Sequence, residues 1–275
     1  MKILIVFFSA TGNTAKMAKV IKEQLQQLGA EIDVKDITSF EDRQPNLDLT
    51  PYQAVIFGFP IHANRAPRVV REWLNTLNGR KKLCATFFTY GGFNVHPTHY
   101  STRQILNRRG FDLVSSAEFL GKHTFNLSEW KAMVERPDKS DFDVAREYAE
   151  KTFRRFIGED SGRLAEFEKT NKSEKELNEL EKIRFLLVTQ FPSRLGEDCS
   201  LCMDCETLCP TGTMNALSGE VRDKEKCIAC LRCIYTCPEN ALSINNCSSI
   251  WPMVLEKLQE SEESLKNKRS KIYFL

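Results

Sequence analysis

The stretch FFSATGNTAKMAKVI, residues 7–21, decides how the first half of the chain folds. An apolar run ends at Ser9, and a pattern with helical spacing begins near Thr14. Between them lie Ser9, Ala10, Thr11, Gly12, Asn13 and Thr14: three hydroxyls, one amide, a glycine and an alanine, with no charged residue. Strand, short polar turn, helix is the arrangement in which an open α/β sheet binds ligands, outside the carboxyl ends of its strands. Backbone N–H groups at the helix start, helped by the helix dipole, favour an anion there, and Gly12 lets the backbone approach closely. The turn lacks the Gly-Lys-Ser/Thr of a triphosphate-binding loop, and G-x-G-x-x-G occurs nowhere in the chain. A phosphate monoester held by neutral donors fits this loop best.

Working outward, strands are expected at 2–8, 31–36, 53–59, 83–89 and 111–120. Helices are expected at 14–28, 67–77, 98–109 and 142–156. Alternation of this kind predicts a doubly wound parallel sheet covered on both faces. The segment 121–140 is polar and carries a proline, and 159–182 is rich in Glu and Lys and reads as a solvated helical linker. The apolar run 183–190 is placed to dock that linker. Near the end, Trp251, Val254, Leu255 and Leu258 form a helix-like stripe expected to pack within the protein. His96 and His99 read as surface or helix-cap residues, and Cys84, inside an apolar strand, as an inert thiol.

With 275 residues the chain has room for two modest domains. A formal charge of +2 gives no electrostatic case for nucleic acid or an anionic membrane. The run 3–8 is far too short to span a bilayer and reads as a buried strand rather than an export signal, so a cytoplasmic, membrane-free protein is expected.

Of the ten cysteines, eight fall between Cys199 and Cys237. CSLCMDCETLCP (199–210) and CIACLRCIYTCP (227–238) share the spacing C-x2-C-x2-C-x3-C-P. Three thiolates on a tight loop cap three irons of one [4Fe–4S] cube, while the fourth cysteine points to the other cube. One cluster is therefore expected on Cys199, Cys202, Cys205 and Cys237, and a second on Cys227, Cys230, Cys233 and Cys209. Zinc is the alternative, but its sites usually pair two C-x2-C hairpins. Cys247 has no place in the pattern. From Arg194 to Cys247 eight acidic residues outnumber five basic ones, a surface that would steer a basic partner.

Residues 197–245 closely resemble bacterial two-cluster ferredoxins. Residues 7–14 resemble the phosphate loop of flavodoxins, which bind flavin mononucleotide (FMN). That resemblance implies that the loops after the third and fourth strands hold the isoalloxazine ring. Pro60, Ile61, His62, Ala63 and Asn64 would come from one, and Thr89, Tyr90, Gly91, Gly92 and Phe93 from the other. The large aromatics that many flavodoxins place on both faces of the ring are missing from 60–66. Together the halves resemble the ferredoxin/flavodoxin fusion proteins, with a flavodoxin-like domain at 1–158, a linker at 159–193, a ferredoxin domain at 194–247 and a helical tail at 248–275. The resemblance implies electron transfer among two [4Fe–4S] clusters, FMN and redox partner proteins, joining one-electron to two-electron chemistry. Two other readings stand beside it: a flavin-dependent reductase of a small molecule, with 121–140 as a pocket wall, and a redox-sensing interaction module. No catalytic acid stands out, and nothing in the sequence sets the oligomeric state.

Overall fold

The computed structural model describes residues 1–43, 45, 47–128, 130–183, 190–196 and 198–274. β1 (Lys2–Phe7) is buried from Ile3 onward. Ile3, Ile5 and Phe7 enter one core, and Leu4, Val6 and Phe8 the other, so this strand needs cover on both faces. α1 (Asn13–Gln27) supplies part of it through Met17, Ala18, Ile21 and Leu25, spaced along one helical face. Gly29, at φ 85°, turns the chain out of this helix toward β2 (Glu31–Asp36). β3 (Ala54–Pro60), α2 (Arg68–Leu74), β4 (Lys82–Tyr90), α3 (Thr98–Arg108), β5 (Phe111–Leu120) and α4 (Lys139–Phe156) follow.

The first five strands pair in parallel in the order β2-β1-β3-β4-β5, confirming the doubly wound sheet. α1 and α4 cover one face, with Met17 and Ile21 of α1 and Tyr148 of α4 closing over Ile5, Ile56 and Phe87. On the other, Val70 and Trp73 of α2 and Ile105 and Leu106 of α3 close over Val6, Phe57, Phe59 and Phe88. Strand order reverses between β1 and β3, which opens a crevice at the carboxyl edge. The turn 9–14 lies there. α4 begins three residues earlier than expected because Asp138 accepts hydrogen bonds from the Ser140 and Asp141 amides while Asp141 accepts from the Asp138 amide, a reciprocal cap.

The linker departs from its expected solvated character. Among its described residues only α5 (Glu174–Ile183) is helical, and Phe167 and Leu177 are buried. Its acidic face grips Arg65, which has no exposed surface: Glu174 lies at 2.8 Å, Asn178 at 2.7 Å and Glu181 at 2.6 Å. Glu181 also pairs with Arg71 at 2.7 Å. The charges read as a solvated face are thus partners for buried cations contributed from over a hundred residues away. Most of the run 183–190 lies outside the described residues.

The cysteine-rich region is built from β6 (Ser193–Arg194), α6 (Asp204–Thr207), β7 (Met214–Asn215), β8 (Glu220–Val221), α7 (Arg232–Tyr235) and β9 (Leu242–Ser243). β6 pairs with β9 and β7 with β8, both antiparallel. The tail then runs through α8 (Trp251–Lys257) and α9 (Glu262–Lys266) to β10 (Lys271–Ile272), which adds antiparallel to the outer edge of β5. The apolar stripe packs as expected at Trp251, Val254 and Leu255, whereas Leu258 stays exposed. Among the described residues no helix is long and apolar enough to cross a membrane.

Candidate cofactor sites

The turn after β1 does not stand alone. One cleft of about 60 Å³ is lined by Ser9, Ala10, Thr11, Asn13 and Thr14, by Pro60, Ile61 and His62 after β3, and by Thr89, Tyr90 and Gly91 after β4. Gly12 sits behind this lining at φ 92°, with no other atom within 4 Å of where a side chain would begin. Ala63, Asn64, Gly92 and Phe93 lie outside the cleft. Asn64 instead accepts a bond from the Thr98 hydroxyl at 2.7 Å through its carbonyl. Phe93 joins an aromatic cluster with Trp130 and Trp251 at ring separations of 6.1 and 5.8 Å.

The loops are tied to one another across the cleft. Thr14 and Thr89 share a hydroxyl hydrogen bond of 2.7 Å. The Ile61 amide donates to the Thr89 carbonyl at 2.9 Å. Ser9 accepts from the Ala15 amide at 3.0 Å through its hydroxyl, so this serine caps the first turn of α1. The fourth wall is Lys122, His123 and Thr124, held by a 2.9 Å bond from the Asn13 side-chain Nδ2 to the Lys122 carbonyl. Sequence reasoning marked the surrounding segment as a wall but missed His123, whose ring packs on Phe93 at 5.2 Å and Trp130 at 5.1 Å. His62 is nearly buried in the cleft and exchanges backbone bonds with Arg65, the residue held by α5.

Clustered hydroxyls, an amide and the first amides of α1 fit a phosphate chemically. The enclosed volume is smaller than an ordinary ligand pocket of roughly 300 Å³ or more. That volume is on the scale of a phosphate and well below that of a fused aromatic ring system.

The eight patterned cysteines form two quartets. Cys199, Cys202, Cys205 and Cys237 line one small, apolar cavity together with Leu201, Met203 and Leu242. Burial and then the neighbouring charges of Cys237, Cys199 and Cys202 push the Cys205 thiol up. Burial and then Cys230, Cys227 and Cys209 do the same to Cys233. The fourth cysteine of each motif thus stands beside the other motif's triplet. Cys209 moves the opposite way: burial raises it, but bonds from the Thr211 side chain and the amides of Thr211, Met214 and Thr213 outweigh that and favour its thiolate. The repeat extends to the backbone. Leu201 and Ala229 have φ 60° and 50°, and Met203 and Leu231 have φ 70° and 56°. Non-glycine residues seldom take this left-handed conformation, and its recurrence at equivalent positions folds both loops around their thiols. Among the described residues no three His, Cys, Asp or Glu side chains converge on a single metal ion. Thiols arranged around a four-iron cube stand further apart than ligands of one ion.

The quartets differ in surroundings. Cys230 is buried in the same core as Phe8 and Ala10, beside the turn 9–14. Three arginines fasten its quartet to the sheet. Arg43 donates to the Pro210 carbonyl next to Cys209. Arg68 donates to the carbonyls of Glu225 and Lys226, just before Cys227, at 2.8 and 3.1 Å. Arg232, between Cys230 and Cys233, reaches the Ser9 and Ala10 carbonyls at 3.1 and 3.4 Å. In the other quartet Cys202 is exposed, and Leu201 beside it is 44% exposed. One quartet is therefore inner and the other outer. Cys84 is fully buried, and burial raises its thiol well above its ordinary range, consistent with an inert role. Cys247 is structural: its carbonyl accepts the Trp130 indole N–H at 2.6 Å.

His99 corrects an expectation. It is neither a surface nor a capping residue but is buried at 4% exposure, with Nδ1 2.7 Å from the Ser116 hydroxyl and Nε2 3.1 Å from Glu118. Tyr273 of the tail donates to the same carboxylate at 2.7 Å. Burial holds His99 below its ordinary value despite Glu118, and the charges of His96 and Lys271 act in the same direction. Burial pushes Glu118 up, but His99, Tyr273 and Lys271 outweigh it and lower its pKa. The native imidazole therefore stays neutral when the unfolded one, near pH 6.5, takes up a proton. Stability from His99 is lost as pH falls below about 6.5, and that from Glu118 is lost at still lower pH as its folded carboxylate protonates. A His99→Gln variant should show a smaller drop in urea midpoint between pH 7.5 and 5.5 than the wild type. An unchanged drop would place the acid sensitivity elsewhere.

Comparison with known proteins accords with this geometry. Residues 4–111 match the flavodoxin domain family, and residues 220–243 match the 4Fe-4S binding domain family. The second match includes the triplet at Cys227, Cys230 and Cys233 together with Cys237, and none of the first motif. An NAD(P)H dehydrogenase (quinone) of Archaeoglobus fulgidus is 33% identical over 81 residues, covering 22% of this chain and 42% of that protein. The chain thus spans less than half the length of that relative. Among solved structures, oxidised Flavodoxin 2 from Bacillus cereus aligns with a TM-score of 0.45 and 19% identity over 56% of this chain and 99% of its own. A flavodoxin from the domain Archaea aligns at 0.42 with 16% identity over 57% and 99%, respectively. The rubredoxin oxygen:oxidoreductase of Desulfovibrio gigas aligns at 0.43 with 20% identity over 57% and 36%. A flavodoxin domain implies FMN, a 4Fe–4S domain implies cluster binding, and both imply redox partners. The chain joins an N-terminal flavodoxin domain to a C-terminal 4Fe–4S domain, the arrangement of a flavodoxin/ferredoxin fusion.

Proposed function

We propose that the chain is an internal electron relay in which the outer quartet faces the partner, the inner quartet is the middle station and the cleft at 9–14 holds FMN. The observation that carries this reading is the fastening of the inner quartet to the flavodoxin half by Arg43 and Arg68, and to the Ser9 and Ala10 carbonyls of the cleft by Arg232. Clusters supply one-electron steps and a flavin one- or two-electron steps, so the order couples single-electron partners to a two-electron acceptor. The chain's own residues fix that order. The left-handed loops at 199–205 and 227–233 present the thiols, while Cys209 and Cys237 cross between the quartets. Burial of Cys230 among Phe8 and Ala10 keeps water out of the gap between inner quartet and cleft. Ser9, Thr11, Asn13 and Thr14 would hold the phosphate, and the strand-end loops at 60–62 and 89–91 the ring.

The stoichiometry follows from the two quartets: about eight irons and one FMN per chain after anaerobic purification. Zinc in place of iron, four irons in place of eight, or FAD in place of FMN would contradict it.

Thr14→Val keeps the side-chain shape and removes one proposed phosphate donor. Loss of a hydrogen bond to a charged group costs roughly 1.5–3 kcal/mol, or about ten- to hundredfold in FMN affinity. Riboflavin, which lacks the phosphate, reports separately on the broken Thr14–Thr89 bond and should lose little. Equal losses for both flavins would remove the phosphate from this loop.

A further inference from the structure

The turn 9–14 contains no charged residue, yet a phosphate monoester carries close to two negative charges at neutral pH. Neutral donors and a helix dipole compensate only part of this. We infer that Arg232, which belongs to the cluster-binding loop and not to the flavodoxin domain, supplies the missing cation and so ties FMN retention to assembly of the inner cluster. The inference rests on the reading of the cleft as the FMN site.

The placement is specific. Nη1 of Arg232 lies 3.1 Å from the Ser9 carbonyl and 3.4 Å from the Ala10 carbonyl. These carbonyls belong to the peptides whose N–H groups are those of Ala10 and Thr11. A guanidinium on the oxygen side of a peptide polarises it and makes its N–H a stronger donor. Arg232 thereby acts through two amides of the turn while adding a full positive charge at its rim. Its Nε is buried and has no hydrogen-bond partner among the described residues, so no carboxylate offsets the guanidinium charge there. Arg232 is half-buried and stands between Cys230 and Cys233, so its position depends on the conformation that these two ligands impose. Lys122, the other cation at the cleft, is exposed and is screened by water. Lys16, in the first turn of α1, is likewise exposed. Arg232 is thus a positioning residue for the flavin site, delivered by a different domain.

The test compares FMN with riboflavin, each titrated by fluorescence quenching into flavin-stripped protein that retains its iron. Arg232→Gln should weaken FMN about tenfold or more, the scale of one lost charge-assisted bond, and leave riboflavin unchanged. Arg232→Lys should recover part of the loss, and Lys122→Gln should lose at most a few-fold. Unchanged FMN affinity in Arg232→Gln with its iron intact, or equal losses for the two flavins, would overturn the inference. If the wild type does not prefer FMN to riboflavin, the phosphate reading of the loop fails instead. Should Arg232→Gln lose iron, the unsubstituted holoprotein decides. During oxidative destruction of its clusters, FMN should be released while a riboflavin-loaded sample keeps its flavin. Retention of FMN after loss of the inner cluster would overturn the link.

Discussion

Cys209→Ala should abolish the inner cluster, 18 residues away in sequence, and spare the outer one. The iron count should fall from about eight to about four. The surviving cluster should be the one on Cys199, Cys202, Cys205 and Cys237, although Cys209 belongs to the motif of its first three ligands. Cys209 stands with Cys233, Cys230 and Cys227, and bonds from Thr211 and three amides favour its thiolate. Loss of the middle station should then slow flavin reduction by a one-electron donor by orders of magnitude, because a buried apolar gap replaces a redox centre. Cys237→Ala should remove the outer cluster and leave the inner one fastened by its arginines. Loss of the outer cluster in Cys209→Ala would contradict the cross-over of the fourth cysteines. Wild-type flavin reduction in both variants, with iron loss confirmed, would remove the relay.

Glu181→Ala should destabilise the protein by about 3 kcal/mol, the lower end for breaking a buried ion pair. Glu181 meets two guanidiniums: Arg65, wholly buried, and Arg71, whose side chain is 11% exposed. Burial already lowers the Arg71 pKa, and Glu181 is the principal group opposing that shift. Removing it leaves Arg65 with Glu174 and Asn178 and leaves Arg71 with the Ala66 carbonyl. Glu174→Ala, whose carboxylate is largely exposed at 81%, should cost less than about 1 kcal/mol, as surface pairs do. Urea midpoints of the two variants separate the cases. Equal, small losses would show that α5 is only a solvated helix after all.

The parallel sheet was legible because each strand is a short apolar run next to a helix with one apolar face, and those patterns are local. The switch-point turn was legible for the same reason: its hydroxyls and Gly12 are consecutive. The grouping of the cysteines into two fours, each with one member from the other motif, was legible from spacing alone. What spacing does not carry is their asymmetry. The motifs are identical in pattern, so the burial of Cys230 and exposure of Cys202 depend on the arginines at 43, 68 and 232, two of them in another domain. Arg65 and Glu181 illustrate the same limit, since each reads locally as a surface charge and becomes structural only when their partners meet. His99 sits at a helix start and looked like a cap, but Glu118 and Tyr273 approach it from β5 and the tail. β10 was missed because two residues give no periodicity, and His123 because its place in the cleft depends on Asn13 holding the Lys122 carbonyl.

The central claim is the order of the stations. Holding the intact protein under anaerobic conditions and mixing it rapidly with a one-electron donor allows the cluster and flavin absorbance bands to be followed together. The cluster band should change first, and the flavin band should follow at the rate at which the clusters become reoxidised. A flavin band that changes first, or at a rate independent of the clusters, would contradict it.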